Sequence, residues 1–319
     1  MRVRHPHIGL QALCRQFGKT RGAWYEDRKR EEARQNRDQL VLDMVEILRR
    51  DMKGLGTEKL YHLLKPAFER EGIKMGRDKL HEVLAFHGLT INRRRRRPQT
   101  TWSKHWMKKW PNLVRDIVPE SANRIWVSDI TYIRIGKDDF AYLSLITDAY
   151  SRKVVGWAVS ANLKTADGPL KALQMALEGL GEVATNLIHH SDRGSQYCGD
   201  EYVSVLQQRE IGISMTEKKD PYENATAERM NGMLKYEFSL GQDFIDVHAV
   251  VQAAQRDIAV YNGKYPHRSI DMLTPDEAHE RTGKLKNRWK REKQPHAPVA
   301  PNEGLRQPSN SPAGLIYSG

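Results

Sequence analysis

Apolar side chains recur along the chain first at helical and then at strand spacing, and the change of period divides it. Leu10, Leu13 and Phe17 lie on one helical face, and the pattern predicts a short helix, a turn at Gly18 and a second helix capped by Thr20. Trp24 and Tyr25 would close a small core there, giving a helix-turn-helix-like segment over residues 1–35. Leu40, Met44, Ile47 and Leu48 mark a longer amphipathic helix over 36–52, ended by Gly54 and Gly56. Thr57 would cap a helix running to Leu64 and interrupted at Pro66, and residues 76–86 make a further helix closed by Gly88. With Tyr61, Leu64, Leu80, Val83 and Leu84 as its core, this second helical unit spans 36–92.

From residue 122 the period shortens. Ile125 to Ile135 alternates as a strand, Ala141 to Asp148 is nearly continuous apolar, and Lys153 to Ser160 is a third strand, with turns at 136–139 and 150–152. Helices then alternate with strands: helix 163–180, strand 185–191, helix 201–209, strand 211–215 and helix 224–238. Asp246 to Tyr261 follows as an amphipathic helix with Val250, Ala254 and Ile258 inward. An antiparallel meander followed by alternating helix and strand is the order of an RNase H-like α/β mixed sheet, expected with its closing helices over 122–283.

Charge adds a partner to this outline. Residues 1–110 hold 27 Lys and Arg against 13 Asp and Glu, while 111–319 hold 25 against 27, so the basic half is the one that would approach a polyanion. Lys19 and Arg21 sit at the second helix, in position for DNA contact. Arg93, Arg94, Arg95, Arg96 and Arg97, followed by Pro98, repel one another too strongly to fold alone; they read as a phosphate-contacting linker within 93–121. Trp102, Trp106 and Trp110 recur every four residues there and are expected on a helix packed against the core. Two cysteines without a C-x-x-C pair support neither a disulfide framework nor a zinc site, and His5, His7 and Cys14 lack a fourth ligand. No apolar run approaches the ~20 residues of a membrane span, and no signal peptide opens the chain, which predicts a cytoplasmic protein. Residues 284–319, basic and then rich in Pro, Ser, Asn and Gly, read as a tail ordered only by a partner.

Three acids carry the candidate chemistry. Asp129 lies in the first strand, Asp192 just past the fourth, and Glu228 in the helix after the fifth. Each taken alone could cap a turn or sit on a solvated helix face. In the sheet order above, strands one and four are neighbours, so residues 63 positions apart (192 − 129) meet, and the crossing helix brings Glu228 to them. Three carboxylates in one place repel unless cations join them, and oxygen-only ligation selects Mg²⁺, with Mn²⁺ as substitute. Around them, His190 and Arg193 would position phosphate, or His190 would simply pack. Asn224 would hydrogen-bond a carboxylate or cap its helix, and His267 and Arg268 would support the site or touch the DNA backbone.

The segments Trp126-Val-Ser-Asp-Ile-Thr-Tyr, His190-Ser-Asp-Arg-Gly-Ser-Gln-Tyr and Asn224-Ala-Thr-Ala-Glu, with Lys235 seven residues beyond Glu228, resemble the D,D(35)E signature of bacterial insertion-sequence transposases of the IS-three family. Retroviral integrases are relatives through the same fold. Tyr261-Asn-Gly-Lys-Tyr-Pro-His-Arg and Leu273-Thr-Pro-Asp-Glu-Ala resemble the family's closing segment, and 55–89 its helical pre-core unit, so the likeness covers residues 9–280. Glu223 stands where the family usually has Asp. The resemblance implies a DNA transposase that cleaves 3′ ends and joins them to new DNA. It would use two Mg²⁺ ions on Asp129, Asp192 and Glu228, with Lys235 on the DNA near the cleaved end. It also implies binding of terminal inverted repeats, action as a homo-oligomer on element ends and target, and either independent synthesis or joining to an upstream-frame partner protein. A regulator with an inactive core and a hydrolytic nuclease without joining activity are the competing readings.

Overall fold

The computed structural model describes residues 9–91, 106–115, 117–180, 186–217 and 225–286. Its centre is a five-stranded sheet of order β3-β2-β1-β4-β5, made of β1 (Ile125–Ile135), β2 (Asp139–Asp148), β3 (Val154–Ser160), β4 (Ile188–Ser191) and β5 (Gly212–Met215). The first three strands pair antiparallel, and β4 and β5 continue parallel to β1. This is the mixed sheet of the RNase H-like class, with β4 beside β1 as the pattern predicts. The strand β1 is central and covered on both faces, so burial runs through its first half instead of alternating strictly.

Two apolar layers enclose the sheet. On one face α5 (Pro169–Leu180) and α7 (Asp200–Gln208) pack with Trp126, Ile146 and Met215, and α5 approaches β3 at Gly156, where a Cβ would stand 2.1 Å from the Ala172 carbonyl oxygen. The short α6 (Ser195–Cys198) precedes α7. On the other face lie α8 (Ala225–Tyr236) and α9 (Val247–Lys264), contributing Met230, Leu234, Val250 and Ile258 against Ile133 and Leu143. A 3₁₀ turn (Arg268–Ile270) and α10 (Pro275–His279) close the core.

Before the sheet, α1 (Leu10–Gln16) turns at Gly18 into α2 (Arg21–Asp51), and α3 (Thr57–Arg70) and α4 (Arg77–Phe86) follow. Thr20 caps α2 as expected, its hydroxyl accepting from the Ala23 N–H at 3.1 Å. The two helices expected over 20–30 and 36–52 are instead one 31-residue helix, so the expected boundary at residue 35 falls inside α2. Nothing between them breaks a helix, and i,i+4 ion pairs such as Arg28–Glu32 and Arg30–Glu26 brace the polar stretch. Met44 and Leu48 of the predicted stripe pack on the core, but the buried centre of that face is Val41 and Val45, and Leu40 and Ile47 remain exposed. The small core expected around α1 does not close: Cys14 is buried, whereas Phe17 and Tyr25 are more than half exposed. Pro66 does not interrupt α3, because its missing N–H costs one bond while Leu60, Leu64 and Phe68 bury the opposite face of a continuous helix.

The helical unit is fastened to the core. Gly54 donates its N–H to the Glu237 carbonyl at 3.0 Å, and a Cβ there would lie 2.4 Å from the Tyr236 oxygen. Nearby, Lys59 binds Glu237 at 2.8 Å and contacts the Tyr265 hydroxyl. The Trp-bearing helix expected before the core is absent among described residues 106–115 and 117–121. Pro111 cannot donate to a helix, and the segment runs extended along β5, where the Leu113 N–H reaches Ser214 Oγ at 2.9 Å and the Met215 N–H reaches the Pro111 carbonyl at 3.2 Å. Trp110 packs on the core and Trp106 is exposed; Trp102 and Arg93 to Arg97 lie outside the described residues, as does the 287–319 part of the predicted tail.

Candidate active site

Strand register brings the two aspartates together. Ser128 pairs with Ser191 across β1 and β4, so Asp129 and Asp192 occupy the next position on two parallel neighbours, about 4.8 Å apart by strand spacing. Both are half-buried, and each is held by its own backbone: Ile130 N–H donates to Asp129 Oδ1 at 3.0 Å, and Gly194 N–H to Asp192 Oδ1 at 2.9 Å. The helix α8 crosses β1 and presents Glu228 at its exposed first turn.

The three acids share an electrostatic field. Burial pushes the Asp129 carboxyl up to about 7, and the charges of Asp192 and Glu228 push the same way, against the hydrogen bonds from Ile130 and Asn231. Asn231 is a site residue that the sequence reading missed. It lies three positions beyond Glu228 and four before Lys235, on their helix face, and donates Nδ2–H to Asp129 Oδ2 at 2.7 Å. That i, i+3, i+7 spacing was the available signal. Lys235 is half-buried on the same side; burial lowers its ammonium while the Asp129 charge opposes the shift. Tyr197 adds a buried ring near both aspartates, whose charges, with burial, raise its hydroxyl.

The other candidates fall elsewhere. His190 is a packing histidine, fully buried with Nδ1 2.9 Å from Ser214 Oγ. Its neighbour His189 turns to the α7 side of the sheet, bonding Ser128 and Tyr202 at 2.6 and 2.9 Å, and burial holds it neutral by lowering it to about 3. Arg193 lies near Glu217, whose carboxyl is lowered first by the Asn112 N–H and Arg115 and further by Arg193, and near Cys198, whose thiol burial raises against the Arg193 charge. Arg268 pairs with Glu58 of α3 at 3.3 Å, and His267 is buried beside Ser269. Lys19 pairs with Asp27 at 2.5 Å and Arg21 is exposed at the start of α2. Asn224 lies outside the described residues.

The carboxylates fit a hard divalent cation in chemistry, being oxygen donors of one sign, and burial, aided by its acidic neighbours, already holds the Asp129 carboxyl near neutrality. Among the described residues, however, no three His, Cys, Asp or Glu side chains are gathered tightly enough to hold an ion. The long, exposed Glu228 side chain is the one that a rotamer change can bring inward. No helix among the described residues is long and apolar enough to cross a membrane.

Comparison with known proteins agrees with this architecture. Two family models, both described as integrase core domain, match residues 119–221 and 209–275. The insertion element IS600 uncharacterized 31 kDa protein of Shigella sonnei is 30% identical over 267 residues, covering 82% of this chain and 96% of its own. Transposase InsF for insertion sequence IS3A of Escherichia coli strain K12 is 30% identical over 246 residues, or 75% of this chain and 82% of its own. Among solved structures, the simian T-cell lymphotropic virus intasome in complex with PP2A regulatory subunit B56 gamma aligns over 79% of this chain and 81% of its own at 17% identity, with a TM-score of 0.42. The HTLV-2 integrase catalytic core domain in complex with magnesium aligns over 52% of this chain and 100% of its own at 16% identity, with a TM-score of 0.37.

Sheet order and domain matches together define an enzyme core of the integrase type. The chain belongs to the IS-three family of insertion-sequence transposases, enzymes of the DDE class.

Proposed function

We propose that the chain cleaves the 3′ ends of an insertion sequence and joins them to target DNA, binding the element's terminal inverted repeats. Asp129, Asp192 and Glu228 are its catalytic residues and the holders of two Mg²⁺ ions, with Mn²⁺ as substitute. The observation that carries the reading is the register that sets Asp129 beside Asp192 under α8, where burial first, and then the charges of Asp192 and Glu228, drive the Asp129 carboxyl to about 7. Bound there, the cations supply neutralisation of the carboxylates and charge stabilisation for phosphoryl transfer.

The remaining work falls to the chain itself. Asn231 fixes one Asp129 oxygen and the Ile130 N–H the other, so that carboxylate is oriented before substrate arrives. The Gly194 N–H does the same for Asp192. Lys235 offers a cation to a phosphate next to the scissile bond, and Arg193 extends the basic rim. Arg93 to Arg97, with Lys19 and Arg21, contact the backbone of element or target DNA, adding affinity without sequence information. Because two element ends must meet, the active form on DNA is a homo-oligomer, with or without an upstream-frame partner for end recognition.

The test uses duplexes carrying the element's ends. Asp192→Asn retains end binding but loses Mg²⁺-dependent cleavage and covalent transfer of a labelled 3′ end to a second duplex. Joining by that variant would overturn the proposal, and cleavage without transfer by the unmodified chain would leave a nuclease.

A further inference from the structure

On the face of α8 turned away from Glu228 there is a cavity of about 120 Å³ whose lining includes Arg152, Thr226, Arg229, Tyr261, His267 and Ser269. No Asp or Glu is among the described residues that line it. His267 is 6% exposed, and its buried Nε2 has no hydrogen-bond partner among the described residues. On the other side of the ring, Nδ1 accepts from the Ser269 backbone N–H at 3.3 Å and lies 2.9 Å from the Ser269 hydroxyl. The neutral ring therefore carries its proton on Nε2, and an unsatisfied donor points into the cavity. Burial first, then the charges of Arg152, Lys59 and Arg229, lower His267 to about 3, which keeps that tautomer at all working pH values.

Two further donor groups converge. Arg152, set by a left-handed backbone at φ +67°, reaches Thr226 Oγ1 at 3.1 Å and brings its guanidinium to the cavity wall. The opposite wall is the first turn of the 12-residue α8, whose leading N–H groups have no partner inside the helix and carry its positive dipole end. A buried orphan donor, a guanidinium and a helix start, with no carboxylate among them, call for an anion with several acceptor oxygens.

We propose that this cavity seats one phosphodiester group of the DNA bound by the enzyme, with His267 Nε2–H, Arg152 and the α8 N-terminus as its donors. The inference rests on the transposase reading for the source of the phosphate, and it makes α8 a two-sided element, with a metal ligand on one face and a strand anchor on the other.

Binding is measured on the full chain in EDTA, so that no chemistry intervenes, with end duplexes in which single phosphates are replaced in turn by neutral methylphosphonate. One position should weaken binding by about tenfold, the loss of one charge-assisted hydrogen bond, and the same replacement should cost Arg152→Gln or His267→Gln nothing further. Arg229→Gln, whose exposed side chain lines the cavity but is not one of the proposed donors, should leave the methylphosphonate penalty in place. In parallel, inorganic phosphate titrated into the DNA-free protein should shift the His267 Nε2–H proton resonance. A phosphate-induced shift with no coupled methylphosphonate position would overturn the DNA assignment and leave a free-anion site. No shift and no coupling would overturn the site altogether. If end duplexes are not bound at all, the transposase reading and the phosphodiester assignment fail together, while the phosphate titration still decides whether the cavity takes an anion.

Discussion

Replacing Asp129 by Asn should stabilise the metal-free protein at alkaline pH, an outcome opposite to the usual cost of removing a half-buried polar group. In the unfolded chain this carboxyl ionises at its ordinary 3.8, and in the folded chain at about 7. The folded state therefore binds more protons between those values, and stability is lost as pH rises through that window. At about 1.4 kcal/mol for each pH unit of difference, the penalty above neutrality is on the order of 4 kcal/mol. Asn carries no charge and escapes it, but its amide nitrogen cannot accept, so one of the bonds from Ile130 and Asn231 is given up at ~1–2 kcal/mol. The net gain is ~2–3 kcal/mol at about pH 8 and turns into a net loss of ~1–2 kcal/mol as pH falls toward about 4. Denaturant unfolding followed by tryptophan fluorescence in EDTA, across that range, measures it. An Asp129→Asn protein no more stable than its parent at about pH 8, or stabilised equally at every pH, would refute the idea that burial and the neighbouring acids make the ionised Asp129 costly.

Further outcomes follow from the same geometry. Asn231→Leu removes a donor to the ionised carboxylate, so Asp129 should ionise at higher pH and the midpoint of Mg²⁺ binding, read by calorimetry, should move up by about one pH unit. His189 is neutral when folded, at about 3 against its ordinary 6.5, so its contribution is whole above 6.5 and is lost as pH falls through that interval. The acid limb of the stability profile should flatten by about 1.4 kcal/mol per pH unit in His189→Gln. Gly54→Ala drives a Cβ to 2.4 Å from the Tyr236 carbonyl oxygen and should cost ~1–3 kcal/mol in denaturant unfolding, with protease cutting first near residue 54. Lys235→Ala should lower affinity for end duplexes by about tenfold in EDTA and flatten its salt dependence by about one phosphate contact.

Most of the sheet was legible because its signals are local and strong. The bounds of β1 follow from alternation and its flanking turns, and β2 and β3 differ from expectation only at their first residues. Asp129 and Asp192 could be joined on paper because strand order sets which ends are neighbours, and the register Ser128 to Ser191 agrees. What escaped depends on partners far along the chain. The inward face of α2 is chosen by α3, α4 and the sheet, not by its own richest stripe. Pro66 and the tryptophan repeat misled because single-residue rules ignore what packs opposite. Of two adjacent histidines, which one bonds Ser128 depends on the parity of β4 and on Tyr202, a contact no spacing reveals. Asn231 was hidden by its ordinariness, since an asparagine on a helix is notable only once Asp129 is known to face it.

The attachment at Gly54 and Lys59 has a mechanical consequence. Those contacts grip Glu237, just past one end of α8, while Glu228 rides near the other, and a 12-residue helix is a stiff rod of about 18 Å. A tilt of the leading helices would travel along that rod to Glu228, because the grip on Glu237 and the third acid share one rigid element.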